Sequence, residues 1–257
     1  MRQASARGWR VVGTYLHNEP SAGEAVRLDV TDAAAVAEAV ERARPDRIIH
    51  TAYRQDDRSV TVDGTVNVAR AAARIRARLV HVSSDVVFSG RLGRPYREGD
   101  RLDAVTEYGR AKADAERAVG ELAPAAVVVR TSLLVAGSEP NRQERPALEA
   151  AAGRAPYPFF TDELRCPIAV ADAAAALIEI AHLPLVGPLH VAGADAVSRY
   201  ELACLIAGAA GLPADRIPAA SGSAAAGRPA DCRLDSSLAR RVLRTRLRGA
   251  REVFAVT

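Results

Sequence analysis

The feature that most constrains this chain is its alternation of short apolar runs with longer amphipathic ones. WRVVGTYL, RLDV, RIIHTA and LVHVSS read as strands, and Asp32 to Arg44 and Val60 to Arg78 read as the helices between them. A helix from Thr106 to Leu122 and the apolar strand AAVVVRTS continue the pattern. Strand, helix, strand is the signature of a parallel sheet covered on both faces, so the expected class is α/β, a Rossmann-like doubly wound sheet. RQASAR at the start reads as the last turn of a helix stopped by Gly8. Beyond Gly137 the pattern loosens into a Pro-bearing stretch to Pro158, a helix from Ala171 to about His182, the strand PLHVA and a helix from Ser198 to Ala210. The expected division is a dinucleotide-binding domain at 1–137 and a smaller substrate-binding lobe at 138–257. The two are partly interleaved, with the helix 171–182 packing on the first. No repeat period appears, and the one low-complexity tract is SGSAAAG at 221–227.

Composition narrows the function classes. With 257 residues, 49% of them hydrophobic, the chain can fill a real core, so disorder is a poor reading. A net charge of +4 suits an anionic ligand such as a pyrophosphate. The basic residues are nevertheless spread along the chain, as an arginine-rich, GC-rich genome alone would produce. Aromatic residues make up 4% and do not interleave with a basic run, which excludes nucleic acid as the expected partner. Cys166, Cys204 and Cys232 have neither CxxC nor metal-ligand spacing and read as reduced thiols, so no metal is expected. No apolar run reaches the roughly 18 residues of a membrane span, and the N-terminus lacks a signal-type apolar stretch. A cytoplasmic protein with no membrane partner is expected.

The strongest chemical constellation is TEYGRAKADAE, where Tyr108 and Lys112 stand four apart on one face of a helix. Reduction of a ketone by hydride needs a proton on its oxygen. A phenol with an ordinary pKa near 10 gives one up at neutral pH only when a nearby ammonium stabilises the phenolate. Such a pair arises often by chance and needs a partner. Ser83, Ser84 and Asp85 end the strand LVHVSS, where ligands of open α/β sheets bind. A hydroxyl there can polarise a substrate carbonyl. The plain alternative is that these serines merely terminate a strand.

HVSSDVVFSG, YGRAKADAE and VVVRTSLL resemble the extended short-chain dehydrogenase/reductases, and most closely the dTDP-4-dehydrorhamnose reductase family. RLDVTD, DRIIHTAYR, TDELRCPIAVADAA, GPLHVAGADAVSRYELA and GRPADCRLD extend the resemblance over nearly the whole chain. It implies that Ser84, Tyr108 and Lys112 take the catalytic places and that Asp85 lies where the family contacts substrate. Asp29 and Val30 would meet the cofactor's adenine, and Thr51, Ala52 and Tyr53 would line the cofactor. The implied activity is NAD(P)H-dependent reduction of a nucleotide-linked 4-keto-6-deoxysugar, with a homodimer left open. Leu133 stands where the rhamnose-forming enzymes have a Trp, so a stacking contact to the sugar is missing, and Thr61 replaces a frequent Asn.

The chain also begins after the first strand, glycine-rich turn and helix that hold the pyrophosphate in this fold, and Gly90-Arg91-Leu92-Gly93 lies in the wrong loop to replace them. Loss of those contacts would remove about 4–9 kcal/mol of cofactor binding, where a micromolar cofactor has about 8 kcal/mol in all. A gap with unpaired edges is expected in the sheet. The expected explanation is an internal start, with about 15–20 residues upstream. The rival is a shortened chain that no longer turns over, similar to the non-catalytic partner of methionine adenosyltransferase. An epimerase or dehydratase of the same superfamily is a further alternative, with Asp85 as its extra acid or base. His17 and Asn18 come before the displaced Glu19, so a 2′-phosphate is not repelled, and NADPH is slightly favoured over NADH. Arg165 and Arg228 are candidates for the sugar-nucleotide diphosphate.

Overall fold

The computed structural model describes residues 1–137, 139–154, 157–225 and 227–255. Ala226 of the 221–227 tract lies outside them, as do both ends of the expected 138–257 lobe. The chain opens with α1 (Arg2–Ala6), β1 (Val12–Tyr15), β2 (Glu24–Arg27), α2 (Ala33–Ala43) and β3 (Arg47–His50). It continues through α3 (Arg58–Thr61), α4 (Asp63–Arg74), β4 (Arg78–Ser84), α5 (Glu107–Leu122) and β5 (Val127–Thr131). Short elements follow: β6 (Leu134–Val135), α6 (Arg145–Ala151), β7 (Phe159–Phe160), β8 (Leu164–Arg165) and β9 (Ile168–Ala169). The remainder is α7 (Val170–Ile180), β10 (Gly187–Val191), β11 (Val197–Ser198), α8 (Arg199–Ala209), β12 (Ala219–Ala220), α9 (Ser237–Val242) and α10 (Ala250–Val253).

Local chemistry sets these boundaries. Asp32 caps α2 by accepting from the amides of Ala34 and Ala35, and Asp57 does the same for α3 through Ser59 and Val60. The single helix expected from Val60 to Arg78 is shorter and divided. It breaks at Val62, and α4 ends where Arg76 turns left-handed at φ 58°. The amide of Arg76 then bonds back to Ala73 O and that of Ala77 to Ala72 O, a C-terminal closure that leaves Arg78 to open β4.

The structure divides into two compact units. The first comprises 1–83, 111–129 and 177–188, and the second 84–110, 130–176 and 189–257. One boundary after residue 137 is therefore replaced by five crossings. The reason is that β4, β5 and β10 begin in the first unit and run on into chain that builds the second. Of the helix expected to pack on the first domain, residues 177–180 belong to the first unit and 170–176 to the second.

In the first unit β1 and β2 pair in parallel from Val12↔Glu24 to Tyr15↔Arg27. A four-stranded sheet has the order β10-β5-β4-β3, and β3 pairs in parallel with β4 from Arg47↔Arg78 to His50↔His81. Among the described residues β1 and β3 are not hydrogen-bonded to each other, so the sheet is in two pieces at the expected break. The core joins Val30, Val36, Val68, Ala69, Ala72, Leu79, Val119 and Val128, with alanines letting α2 and α4 approach closely. The second unit has its own core around Val135, Ala147, Phe159, Leu202, Ile206 and Phe254. Among the described residues its sheet elements are three two-stranded pairs, β11-β8, β12-β7 and β6-β9. This is a Rossmann-like α/β architecture with an appended α/β unit.

Candidate active site

In the first unit Lys112 is 2% exposed, and its Nζ donates to Val82 O at 2.6 Å, two residues before the end of β4. Burial pushes its ammonium down to about 8, against a smaller opposing pull from Glu116. The Tyr53 ring lies 5.9 Å from Nζ. Thr51, Ala52 and Tyr53 form an exposed stretch directly after β3, and His17 and Asn18 are exposed beyond β1.

Asp29 follows β2 and accepts from both the amide and the hydroxyl of Thr31, at 2.9 and 2.7 Å. These bonds hold its carboxyl below the usual range and both fall on Oδ1. The Val30 side chain lies in the core and presses on Gly64, where a Cβ would strike Val30 Cγ2. Of Val30, expected to meet the cofactor's adenine, the side chain is thus committed to the core. Asn67, which sequence reasoning passed over, donates to Val30 O at 3.0 Å and Thr31 O at 3.2 Å and so clamps this loop.

Lys112 also stands above a second group missed in the sequence. His50 and His81 are register partners on β3 and β4, stacked at 5.4 Å. Thr65 Oγ1 donates to Thr61 O, so it must accept from His50, which fixes the His50 proton on Nε2. Burial, then the Lys112 charge, push His50 down to about 4, and burial, then the charges of Lys112 and His50, hold His81 well below the ordinary imidazole range.

In the second unit Ser84 ends β4, and Asp85 follows it at 3% exposure. Ser132 Oγ donates to Asp85 Oδ2 at 2.7 Å, and Ser84 Oγ to Oδ1 at 3.3 Å. Burial raises the Asp85 carboxyl, opposed first by the charge of Arg165, whose Nε lies 3.7 Å from Oδ2. Arg165 donates to Leu164 O, Ala230 O and Pro229 O at 2.7, 3.0 and 2.8 Å and pairs with Glu163 at 3.2 Å. A phosphate-gripping Arg165 is thereby corrected, because its side chain is only 4% exposed and its donors already have acceptors. Arg228 grips both oxygens of Glu163, yet its side chain stays about half exposed, at 48%. Leu133 is half-buried against the second unit's core.

Tyr108 lies in the first turn of α5, half-buried, one helical turn before Lys112. Gly109 makes that start possible, since a Cβ there would strike Val86 O, just after Ser84 and Asp85. Sequence reasoning missed its role because nothing in YGRAK states what the glycine faces. Cys166 and Cys232 are buried, Cys204 is half-buried, and burial raises the thiol of Cys166 to about 11. Among the described residues no cluster of three or more His, Cys, Asp or Glu is suited to a metal, and no helix is long and apolar enough to cross a membrane.

A Rossmann-like chain with Tyr and Lys one turn apart, following a strand that ends in Ser, has the layout of a short-chain dehydrogenase/reductase. Residues 1–255 match the family described as RmlD substrate binding domain, and the chain belongs to that family, within the extended short-chain dehydrogenase/reductases. A dTDP-4-dehydrorhamnose reductase of Aggregatibacter actinomycetemcomitans is 31% identical over 195 residues, covering 70% of this chain. The match spans 66% of that relative's length, just under two thirds. Methionine adenosyltransferase 2 subunit beta of Bos taurus is 29% identical over 258 residues, 92% of this chain and 76% of that one. Among solved structures, a Bacillus anthracis dTDP-4-dehydrorhamnose reductase in complex with NADP superposes with TM-score 0.77 at 25% identity, covering 88% of this chain and 84% of that one.

Proposed function

We propose that this chain reduces a nucleotide-linked 4-keto-6-deoxysugar at the expense of NAD(P)H, with Tyr108 giving the proton, Lys112 stabilising the phenolate and Ser84 polarising the carbonyl. The observation that carries the reading is the Lys112 ammonium, held in the interior one helical turn from a tyrosine. A fold gains nothing from a buried cation there, whereas a phenol acting as an acid near neutral pH needs one.

The residues present fit the two ends of a nicotinamide cofactor, which would supply the hydride. Asp29 keeps Oδ2 as an acceptor for an adenine amine, with its loop clamped by Asn67. Lys112, with two further N–H donors, would hold the nicotinamide ribose beside Tyr53. His17 and Asn18 leave room for a 2′-phosphate, so NADPH is the favoured form. The Bacillus anthracis relative with NADP supports the same choice. On the substrate side we assign Leu133 and Arg228 to the sugar nucleotide, Arg228 being the cation with exposed surface. A homodimer and a cytoplasmic location belong to the same proposal.

The likeness to methionine adenosyltransferase 2 subunit beta favours a second reading, a regulatory subunit that binds the cofactor without turnover. An epimerase or dehydratase would need Asp85 free as an acid or base, and its engagement by Ser132, Ser84 and Arg165 weighs against that. The deciding experiment follows NADPH consumption with a dTDP-4-keto-6-deoxysugar in wild type and Tyr108→Phe, alongside cofactor binding by calorimetry. Turnover that falls by about 10²–10⁴ in the variant, with binding kept, supports the reductase. Binding with no turnover in either supports the regulatory reading.

A further inference from the structure

The most elaborate polar structure outside the Tyr108–Lys112 pair is the buried cluster behind Ser84. We infer that Arg165 is a positioning residue that acts through Asp85, holding that carboxyl ionised and neutralised directly beside Ser84. Arg165 is a fixed cation, because three backbone carbonyls and Glu163 determine where its guanidinium lies. Its Nε lies 3.7 Å from Asp85 Oδ2, an ion-pair contact, and Oδ2 also takes the Ser132 hydroxyl, itself held by the Cys166 amide at 3.2 Å. Asp85 Oδ2 is thus occupied by two groups of fixed position. Oδ1 takes the Ser84 hydroxyl through a bond of 3.3 Å, long enough to be given up readily.

This arrangement has a chemical reason, which rests on the reductase reading above. Reduction builds negative charge on the oxygen that Ser84 contacts, and a bare carboxylate one residue away would oppose it. Arg165 cancels that charge and keeps Asp85 as an acceptor only, so the Ser84 hydroxyl is drawn into one orientation before substrate arrives. Glu163 in turn balances Arg165. It is held by Arg228 and lies 4.0 Å from Arg199, and those pairs keep its carboxyl below the ordinary range despite burial. The ionisable groups facing Asp85 are Arg165, Glu163, Arg199, Cys166 and Cys232, and burial keeps both thiols neutral.

The test titrates the Asp85 carboxyl by ¹³C NMR of the full chain labelled at aspartate, with the signal assigned by Asp85→Asn. An opposite charge this close moves a carboxyl midpoint by about 1–3 pH units. Arg165→Met should therefore raise the Asp85 midpoint by that amount, and Arg165→Lys, which keeps the charge, should restore most of it. A purely structural Arg165 would lower stability in both variants and leave the midpoint where it was, which overturns the inference. Should Arg165→Met fail to fold, wild type still decides, because an Asp85 that remains protonated at pH 7 also overturns it. The titration needs no turnover, so a chain that binds NADPH without reducing sugar refutes the reductase reading and leaves this result standing. Where wild type does turn over, Arg165→Met should lower kcat more than it raises KM, and an unchanged kcat removes the role at Ser84.

Discussion

Replacing Lys112 by methionine should make the protein more stable at neutral pH while abolishing the proposed reduction. The ammonium is 2% exposed and titrates at about 8 in the fold against 10.5 for a free lysine side chain. At about 1.36 kcal/mol per pH unit, that depression of about 2.5 units corresponds to about 3.4 kcal/mol of cost for the buried charge. The thioether side chain would remove this cost but leave Val82 O without its charged donor, a loss of about 1–3 kcal/mol. The net gain at pH 7 is then about 0.5–2.5 kcal/mol. Below pH 8 the lysine is protonated in both the folded and the unfolded chain, so the cost is complete. Between pH 8 and 10.5 the unfolded chain binds the proton that the folded chain has released, so this group makes stability rise with pH. By pH 10 about 2.5 kcal/mol of the cost has been relieved. Urea unfolding of wild type and Lys112→Met at pH 7 and pH 10 measures this, with the thiols and the tyrosines other than Tyr108 cancelling in the difference, and Lys112→Met/Tyr108→Phe against Tyr108→Phe removes the remaining one. The variant should lead at pH 7, and wild type should gain on it by pH 10. A variant that is less stable at pH 7, by a margin that does not change with pH, would refute the reasoning. The same midpoint would set the proposed reductase activity, which should fall as pH rises through about 8 and Lys112 loses its charge.

His50 titrates at about 4 in the fold against 6.5 free, so its contribution is complete above pH 6.5 and is lost as pH falls, reaching about 3.4 kcal/mol below pH 4. His50→Gln, which keeps an N–H for Thr65, should flatten that part of the acid unfolding profile, and slopes equal to wild type would disprove the assignment. Gly109→Ala places a methyl against Val86 O and should cost about 1–3 kcal/mol in thermal unfolding and displace Tyr108. Activity should fall at least tenfold with cofactor affinity unchanged, so intact turnover would show that the helix start tolerates the shift. Asn67→Ala removes two bonds to the loop after β2, about 1–3 kcal/mol together. Calorimetry should show weaker NADPH binding, and an unaltered Kd would dissociate that loop from the cofactor.

The alternation of strands and helices was legible because periodicity and apolar runs record burial directly. Caps at Asp32 and Asp57 followed the same logic. The end of α4 was not legible, since a left-handed Arg76 follows from tertiary packing rather than from any propensity of arginine. Tyr108, Lys112 and Ser84 could be picked out because their spacing along one helix and one strand end is local. The partners of Asp85 could not, because Ser132 and Arg165 lie 47 and 80 residues away in sequence. An arginine that cancels a buried carboxylate looks, in a sequence, like one that awaits a phosphate. The unit boundary failed for a related reason: β4, β5 and β10 each end in chain belonging to the second unit, a fact of connectivity that composition does not register.

The buried basic groups of the first unit form one electrostatic device. Lys112, His50 and His81 meet where the end of β3 pairs with the middle of β4, in an interior that penalises every charge they could carry. Three cations there would repel one another, and the penalty falls hardest on the weakest bases. Both imidazoles therefore stay neutral, and the lysine alone keeps its proton through neutral pH. The field that α5 carries towards Tyr108 then comes from a single charge whose value does not change between about pH 5 and 7, since His50 titrates below that range and Lys112 above it. Replacing His50 with an apolar residue would preserve the charge but leave Thr65 without its donor. A lysine in place of either histidine would compete with Lys112 for the proton. A neutral imidazole at position 50 satisfies both constraints at once, whereas both ring nitrogens of its stacked partner His81 are buried with no hydrogen-bond partner among the described residues.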